Sequence, residues 1–313
     1  MTNSPTNSPT NSKMNSLPKK GKGWLRDLPD MRDYTPQHKA IKPLLDKTQP
    51  PKKKSKALPI TVDLRPWFSP VEDQGGIGSC TAQAGVALIE YFQKRAFGKH
   101  IDASKLFLYK VTRRLLHFQG DTGAYLRTTM GAIALFGVPP EEYWPYTDNT
   151  TDNGNNAYYD AEPPAFCYAF AQNYQAIKYY RLDTPDIPRD KLVTTLKANL
   201  AAGIPSMFGF TCYDSIATAW ENGGKIPFPD PNESVTGGHA VVTAGYDDEI
   251  EITNPNNPGI TTKGAFLIKN SWGEQWGDAG YGWLPYDYVT QWLATDWWSL
   301  IKSEWIDTGN FTW

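Results

Sequence analysis

At 313 residues the chain is long enough for one large or two modest domains with a substantial core. Its net charge of −2 hides a split: residues 1–57 hold 13 Lys/Arg and 4 Asp/Glu, and the remainder holds 18 and 29. Three cysteines argue against a disulfide-stapled scaffold, and no apolar run approaches the roughly 20 residues of a membrane span.

The N-terminal arm opens with Thr2-Asn3-Ser4-Pro5, repeated nearly three times through Ser12, a polar tract with nothing to bury. Residues 1–21 are therefore expected to be a disordered tail. The first thirty residues hold no apolar signal segment, so no secretory signal is recognised and the compartment reads as cytoplasmic or unknown. Trp24, Leu25, Leu28, Met31 and Tyr34 make residues 24–34 too apolar for a free tail, so this piece is expected to dock on the body. Residues 49–56, with Pro50, Pro51 and Lys52–Lys54, read as a linker. Segment 22–57 is basic and the body acidic, so one expectation is a pro-segment or strap that folds back on the body. A solvated linker is the competing reading. Basic arms also bind nucleic acid or membranes, but scattered lysines give no reason to expect a nucleic-acid partner.

A Gly-rich loop, Gln74-Gly75-Gly76-Ile77-Gly78-Ser79, then ends in Cys80. Val86, Ile89 and Phe92 repeat near the helical period and Gly98 marks a stop, so a helix is expected to begin at the thiol. A cysteine there sits among unpaired N–H groups at the positive end of the dipole, which favours the nucleophilic thiolate. Ser104–His117 reads as a second helix capped by Ser104, Tyr125–Phe136 as a third stopped by Gly137, and 188–202 as a fourth opened by Pro188. Short strands are expected afterwards at Pro205–Phe210, His239–Tyr246, Ala265–Lys269 and Tyr281–Leu284, with a turn string at Thr253–Gly259. Helices early and strands late indicate an α+β protein of two packed parts.

Two late strings stand out. In Gly237-Gly238-His239-Ala240, His239 is the one histidine of four that sits between paired glycines and a strand. In Ile268-Lys269-Asn270-Ser271-Trp272-Gly273, a strand runs into an asparagine and a tryptophan, with Trp276 and Gly280-Tyr281-Gly282 after it.

Taken in the order Cys80, His239, Asn270, these strings resemble the papain-like cysteine peptidases, in particular bacterial members that lack disulfides. The resemblance runs from about Leu58 to the C-terminus. It implies a helical lobe (about 70–165) and an antiparallel, barrel-like β lobe (about 166–300), within a peptidase domain of residues 58–313, with the active site in the cleft between. It implies a Cys80–His239–Asn270 triad, Gln74 as an oxyanion-hole donor six residues before the nucleophile, and Trp272 covering the His–Asn pair. Gly123, Ala124, Tyr125, Gly238 and Trp276 would line the substrate cleft. Leu126, Gly209, Gly237 and Ala240 are candidates for the main specificity pocket. The partner is a peptide or protein substrate, cleaved through a thioester, and segment 22–57 would inhibit in cis, as in a zymogen. No metal-ligand spacing and no phosphate-binding loop is found, so neither metal nor cofactor is expected.

The departures from the family pattern are coherent. Ile77 and Asp121 stand where the family bridges two cysteines, and both are lost together. His239 and Asn270 follow Cys80 by 159 and 190 positions, beyond the usual roughly 130–150. Insertions near Thr147–Pro164 and Tyr213–Val235 account for that. Cys167 and Cys212 read as packing residues. A peptide ligase with the same triad, or a silent peptide-binding module, are the alternatives.

Overall fold

The structure is a computed structural model, and it describes residues 18–48, 57–149, 158–172 and 177–311. The repeats of the arm up to residue 17 and linker 49–56 lie outside the described residues. Helix α2 (Cys80–Phe97) starts at the thiol and ends where Gly98 turns left-handed at φ 72°, its N–H bonding Lys94 O. Here α1 denotes Lys42–Thr48, in the arm. Helix α3 (Lys105–Leu115) is capped by Ser104, whose hydroxyl accepts from Phe107 N–H. Strand β3 (Ala124–Tyr125) leads into α4 (Leu126–Phe136), which Gly137 stops. A short helix, α5, covers Ala165–Ala171, and α6 (Arg189–Ala201) follows Pro188. Helices α2, α3, α4 and α6 agree with the periodicity to within two residues at their ends, whereas α1 and α5 had not been expected.

The sheet runs β4-β9-β5-β6-β7-β8, with β2 (Thr61–Asp63) added on β6, and every pairing is antiparallel. Its strands are β4 Lys178–Arg181, β5 Met207–Tyr213, β6 Val235–Asn254, β7 Asn257–Lys269, β8 Tyr281–Pro285 and β9 Ala294–Ile301. The path does not close into a barrel. The fold class is α+β, as the pattern indicates. Two strands are longer than their apolar runs suggest, because β6 and β7 form one hairpin closed by an Asn254–Asn257 pair. Short helices α7 (Tyr286–Thr290) and α8 (Ser303–Ile306) flank β9. No helix among the described residues is long and apolar enough to cross a membrane.

The arm divides into two docked pieces. Strand β1 (Trp24–Leu25) pairs in parallel with β3. Helix α1 lies on a remote face, where Lys47 meets Asp307 at 2.5 Å. Docking near β1 is carried by only one of the apolar residues that suggested it. Leu28 and Met31 are exposed, and of that set only Trp24 is buried. Charged groups do the rest: Arg127 holds Asp27 and Asp33, each at 2.7 Å.

Candidate active site

Three side chains fix the loop that delivers Cys80. Gln74 gives its side-chain N–H to Ile77 O (2.9 Å), and its Oε1 accepts from the Ser271 hydroxyl (2.6 Å). Tyr146 Oη lies 2.6 Å from Ser79 Oγ and donates to Gln74 O. Asp121 accepts from Gly78 N–H at 2.8 Å and from Tyr109 Oη–H at 2.5 Å. The carboxylate thus ties together, by hydrogen bonds, the two loops that a disulfide between positions 77 and 121 would join. All three cysteines are free and buried, with Cys167 on α5 and Cys212 on β5.

His239 enters on β6 opposite Phe210 of β5, fully buried. Its Nε2 is 2.8 Å from Asn270 Oδ1. That oxygen also accepts from Ser271 N–H at 2.8 Å, which fixes which amide atom faces the ring. An acceptor at Nε2 means that Nε2 carries the proton and Nδ1 the lone pair. Nδ1 is buried and has no hydrogen-bond partner. Trp272 stacks on the imidazole with centroids 4.5 Å apart, and Trp276, wholly buried, meets Trp272 edge-on at 5.8 Å. The Cys80 thiol lies near this end of β6: Ala240 N–H, one residue from His239, favours its charged form.

Burial decides the ionisation of the pair. It pushes the Cys80 thiol up to about 11, against the N–H groups of Gly23, Ala240 and Thr81, which pull it down. It also drives His239 down to about 4, against the Asn270 hydrogen bond. At neutral pH both are uncharged. Burial thus opposes the pull of the α2 dipole on the thiol.

The cover is the arm itself. Lys20 pairs with Asp73 at 2.6 Å, and Gly21 N–H bonds Gly75 O. The Gln74 amide donates to Gly21 O at 3.2 Å, and Lys22 reaches Thr236 Oγ1 at 2.7 Å. Gly23 N–H points at the Cys80 sulfur, 3.3 Å away, while Gly23 O accepts from Ala124 N–H. The Trp24 ring lies so close to Gly209 and Gly238 that neither position has room for a Cβ. Its indole N–H donates to Asp296 Oδ2 at 3.0 Å. Gly123, at φ 72°, has its Cβ position filled by Gly23.

Of the residues singled out in the sequence, Gln74, Cys80, His239, Asn270 and Trp272 therefore converge. Gly123, Ala124, Gly209 and Gly238 border the covering segment, and Tyr125 pairs with Leu25. The Gly237 Cβ position faces the Lys22 side chain. Leu126 is buried at the start of α4. Sequence reasoning missed four contributors. Ser271 was visible only as part of the Asn-Ser-Trp-Gly string. Gly21 and Gly23 looked like arm composition, but a Cβ on either would overlap the backbone of Ile77 or Gly78. Asp296 had no local signal at all.

Residues 58–291 match the family described as papain family cysteine protease. The chain belongs to that family. An uncharacterized peptidase C1-like protein of Acanthamoeba polyphaga mimivirus is 31% identical over 231 residues, covering 72% of this chain and 68% of that one. Chymopapain from Carica papaya is 26% identical, and this chain spans only 50% of its length. Among solved structures, xylellain, a cysteine protease from Xylella fastidiosa, is similar at 34% identity and a TM-score of 0.72, covering 91% of this chain and 97% of that one. As a papain-family member, this chain is a cysteine-type peptidase.

Proposed function

We propose that the chain hydrolyses peptide bonds through a thioester formed on Cys80, with His239 as base and acid and Asn270 as the group that orients it. The observation that carries this reading is the His239 ring: Nε2 is committed to Asn270, and Nδ1 is left buried and unpaired, available as a base. In the reaction Nδ1 accepts the thiol proton as sulfur attacks the carbonyl carbon. The same nitrogen returns that proton to the leaving amine, and then activates the water that cleaves the thioester. Asn270 is neutral and orients the ring without adding charge. The carbonyl oxygen becomes an anion in the tetrahedral intermediate. Cys80 N–H, which has no intrahelical acceptor, and the Gln74 amide would stabilise it.

Segment 20–34 keeps this site latent. It places an N–H, not a carbonyl carbon, against the sulfur, so it offers the nucleophile no electrophile. It also occupies the Gln74 donor with Gly21 O. In this reading residues 58–313 form the peptidase domain. The arm serves both as strap, through 20–34, and as scaffold, through α1.

Labelling tests the assignment. A Gly23→Ala chain, in which the strap is loosened, is treated with a thiol-directed peptidyl epoxide, and the modified residue is mapped. Modification of Cys80 is expected, and modification of Cys167 or Cys212 with Cys80 intact would refute it. A second expectation concerns Ser271. Ser271→Ala leaves Gln74 Oε1 without its hydroxyl donor, so the amide loses its fixed aim. Turnover in the released enzyme should fall by about 3- to 10-fold, the size of one hydrogen bond. The change should appear in kcat more than in KM.

A further inference from the structure

One peptide group in the loop before Cys80 is held from both sides. The Ile77 carbonyl accepts from the Gln74 side-chain amide at 2.9 Å. The N–H of the same peptide group, on Gly78, donates to both oxygens of the Asp121 carboxylate, at 2.8 and 3.0 Å. A peptide group is planar and directs its C=O and N–H to opposite sides, so Gln74 and Asp121 grip one rigid unit from its two edges. The loop supplies little stiffness of its own, because Gly75, Gly76 and Gly78 are three of the five residues between Gln74 and Cys80.

Asp121 is itself fixed. Its Oδ1 accepts from Tyr109 Oη–H at 2.5 Å, and Tyr109 Oη accepts from Gly123 N–H at 3.1 Å. Tyr109 is buried on α3, with the Arg113 guanidinium over its ring at 4.2 Å from the centroid. The carboxylate is thereby tied to a packed helix. There is little slack on the loop side, since a Cβ on Gly78 would meet Asp121 Oδ1 at 3.2 Å.

The Gln74 amide has two N–H groups. Its two protein acceptors are Ile77 O and, on the strap, Gly21 O. When the strap leaves, Ile77 O is the acceptor that stays. Anchoring there, together with the Ser271 hydroxyl on Oε1, aims the freed N–H. Any shift of the 77–78 peptide turns that N–H away from its target. We propose that Asp121 is a positioning residue for the oxyanion hole: by holding Gly78 N–H it fixes the Ile77 carbonyl, and through it the aim of the Gln74 amide. This rests on the peptidase reading of Cys80 and Gln74. Linked hydrogen bonds polarise one another, so a carboxylate on the N–H also makes the Ile77 oxygen a better acceptor for Gln74. The charge has a drawback at the nucleophile. Burial chiefly, and the Asp121 charge to a lesser degree, push the Cys80 thiol up.

The test uses full-length Gly23→Ala enzyme and a panel of small fluorogenic peptides. Asp121 is exposed, so Asp121→Ala is expected to fold. It should lower kcat by about tenfold, the size of one bond to a charged group. KM should change little, because a misaimed oxyanion donor weakens the transition state alone. Gln74→Ala by itself should lower kcat by about 10²–10³-fold. In that background Asp121→Ala should lower it by less than about twofold, since the group it aims is gone. The same factor in both backgrounds would overturn the inference, because a merely structural contribution adds. Should Asp121→Ala misfold, Tyr109→Phe gives the same comparison by removing the hydroxyl that orients the carboxylate. A loss of about threefold is expected with Gln74 present and none without it, and equal losses would again overturn the inference. Alkylation separates aim from nucleophilicity. Iodoacetamide should modify Cys80 at least as fast in Asp121→Ala, since a negative charge near the sulfur is removed. Alkylation slowed as much as kcat would place the effect on the thiol and sink the positioning role, leaving the peptidase reading intact. A Gly23→Ala parent that cleaves none of the peptides would sink the peptidase reading and this role with it.

Discussion

Cys80→Ala and His239→Ala, each placed in the strap-loosened Gly23→Ala background, are expected to lose turnover of a small peptide substrate by about 10⁵-fold or more. Nucleophile and base act as one unit, so either loss removes nearly the whole chemical advantage. Asn270→Ala should cost far less, about 10- to 100-fold, because in the proposed mechanism Asn270 orients the ring and does not react. The ordering is the sharp part. If a well-folded Asn270→Ala enzyme proved slower than His239→Ala, the roles would be wrongly assigned. Melting temperature is the control. Cys80→Ala removes one buried sulfur and should barely move it. Asn270→Ala also strips Ser271 N–H of its acceptor and should lower it measurably.

The parts of this site that were legible in the sequence are those with local chemistry. Cys80 announces itself through a glycine loop running into a helical period, and Asn270 through the strand and tryptophan around it. The helices were legible for the same reason: Ser104, Gly98 and Gly137 are caps, and a cap acts on its immediate neighbours. β9 was not read as a strand. All eight of its residues are buried, so it lacks the alternation that marks a half-exposed strand. Asp296 sits on that strand and was lost with it. Its bond to the Trp24 indole spans 272 positions, and no local pattern encodes such a contact. The docking of the arm was foreseen from its apolar residues. Its actual hold is one buried tryptophan, Trp24, together with ion pairs, since Leu28 and Met31 face outward while Asp27 and Asp33 grip Arg127.

The ionisation of the site follows from the same cover. A helix N-terminus lowers a thiol's pKa when the sulfur can be solvated or paired with a cation. Under the strap neither condition holds, because His239 is itself kept neutral by burial and the nearby Lys22 charge. The covered enzyme therefore holds a neutral thiol next to a neutral imidazole. Uncovering admits water, which lowers the Cys80 pKa and raises that of His239, so the two shifts converge on a charged pair. In the proposed reading the strap acts on reactivity as well as on access.

Gly23→Ala should therefore convert the latent chain into an active one. Gly23 does not occupy a positive φ, so alanine brings no backbone strain of its own. Its methyl group, however, would overlap the Gly78 backbone. Over-packing of this kind costs about 1–3 kcal/mol. Because the clash exists only in the covered state, that cost shifts the equilibrium toward the open state. We expect kcat/KM for a small fluorogenic peptide to rise by about 10- to 100-fold. Alkylation gives a second readout that needs no substrate. At neutral pH a thiol near 11 is about 10⁻⁴ thiolate, whereas an ordinary thiol near 8.5 is a few per cent. Iodoacetamide should thus modify Cys80 at least tenfold faster in the variant, with Cys167 and Cys212 unchanged. Leu28→Ala, in the same segment but exposed, is the control and should alter neither rate. Helix α1 and its contact with Asp307 are untouched by the substitution, so circular dichroism and melting should show an intact fold. An intact fold with both rates unchanged would mean that residues 20–34 lie over the site without restraining it.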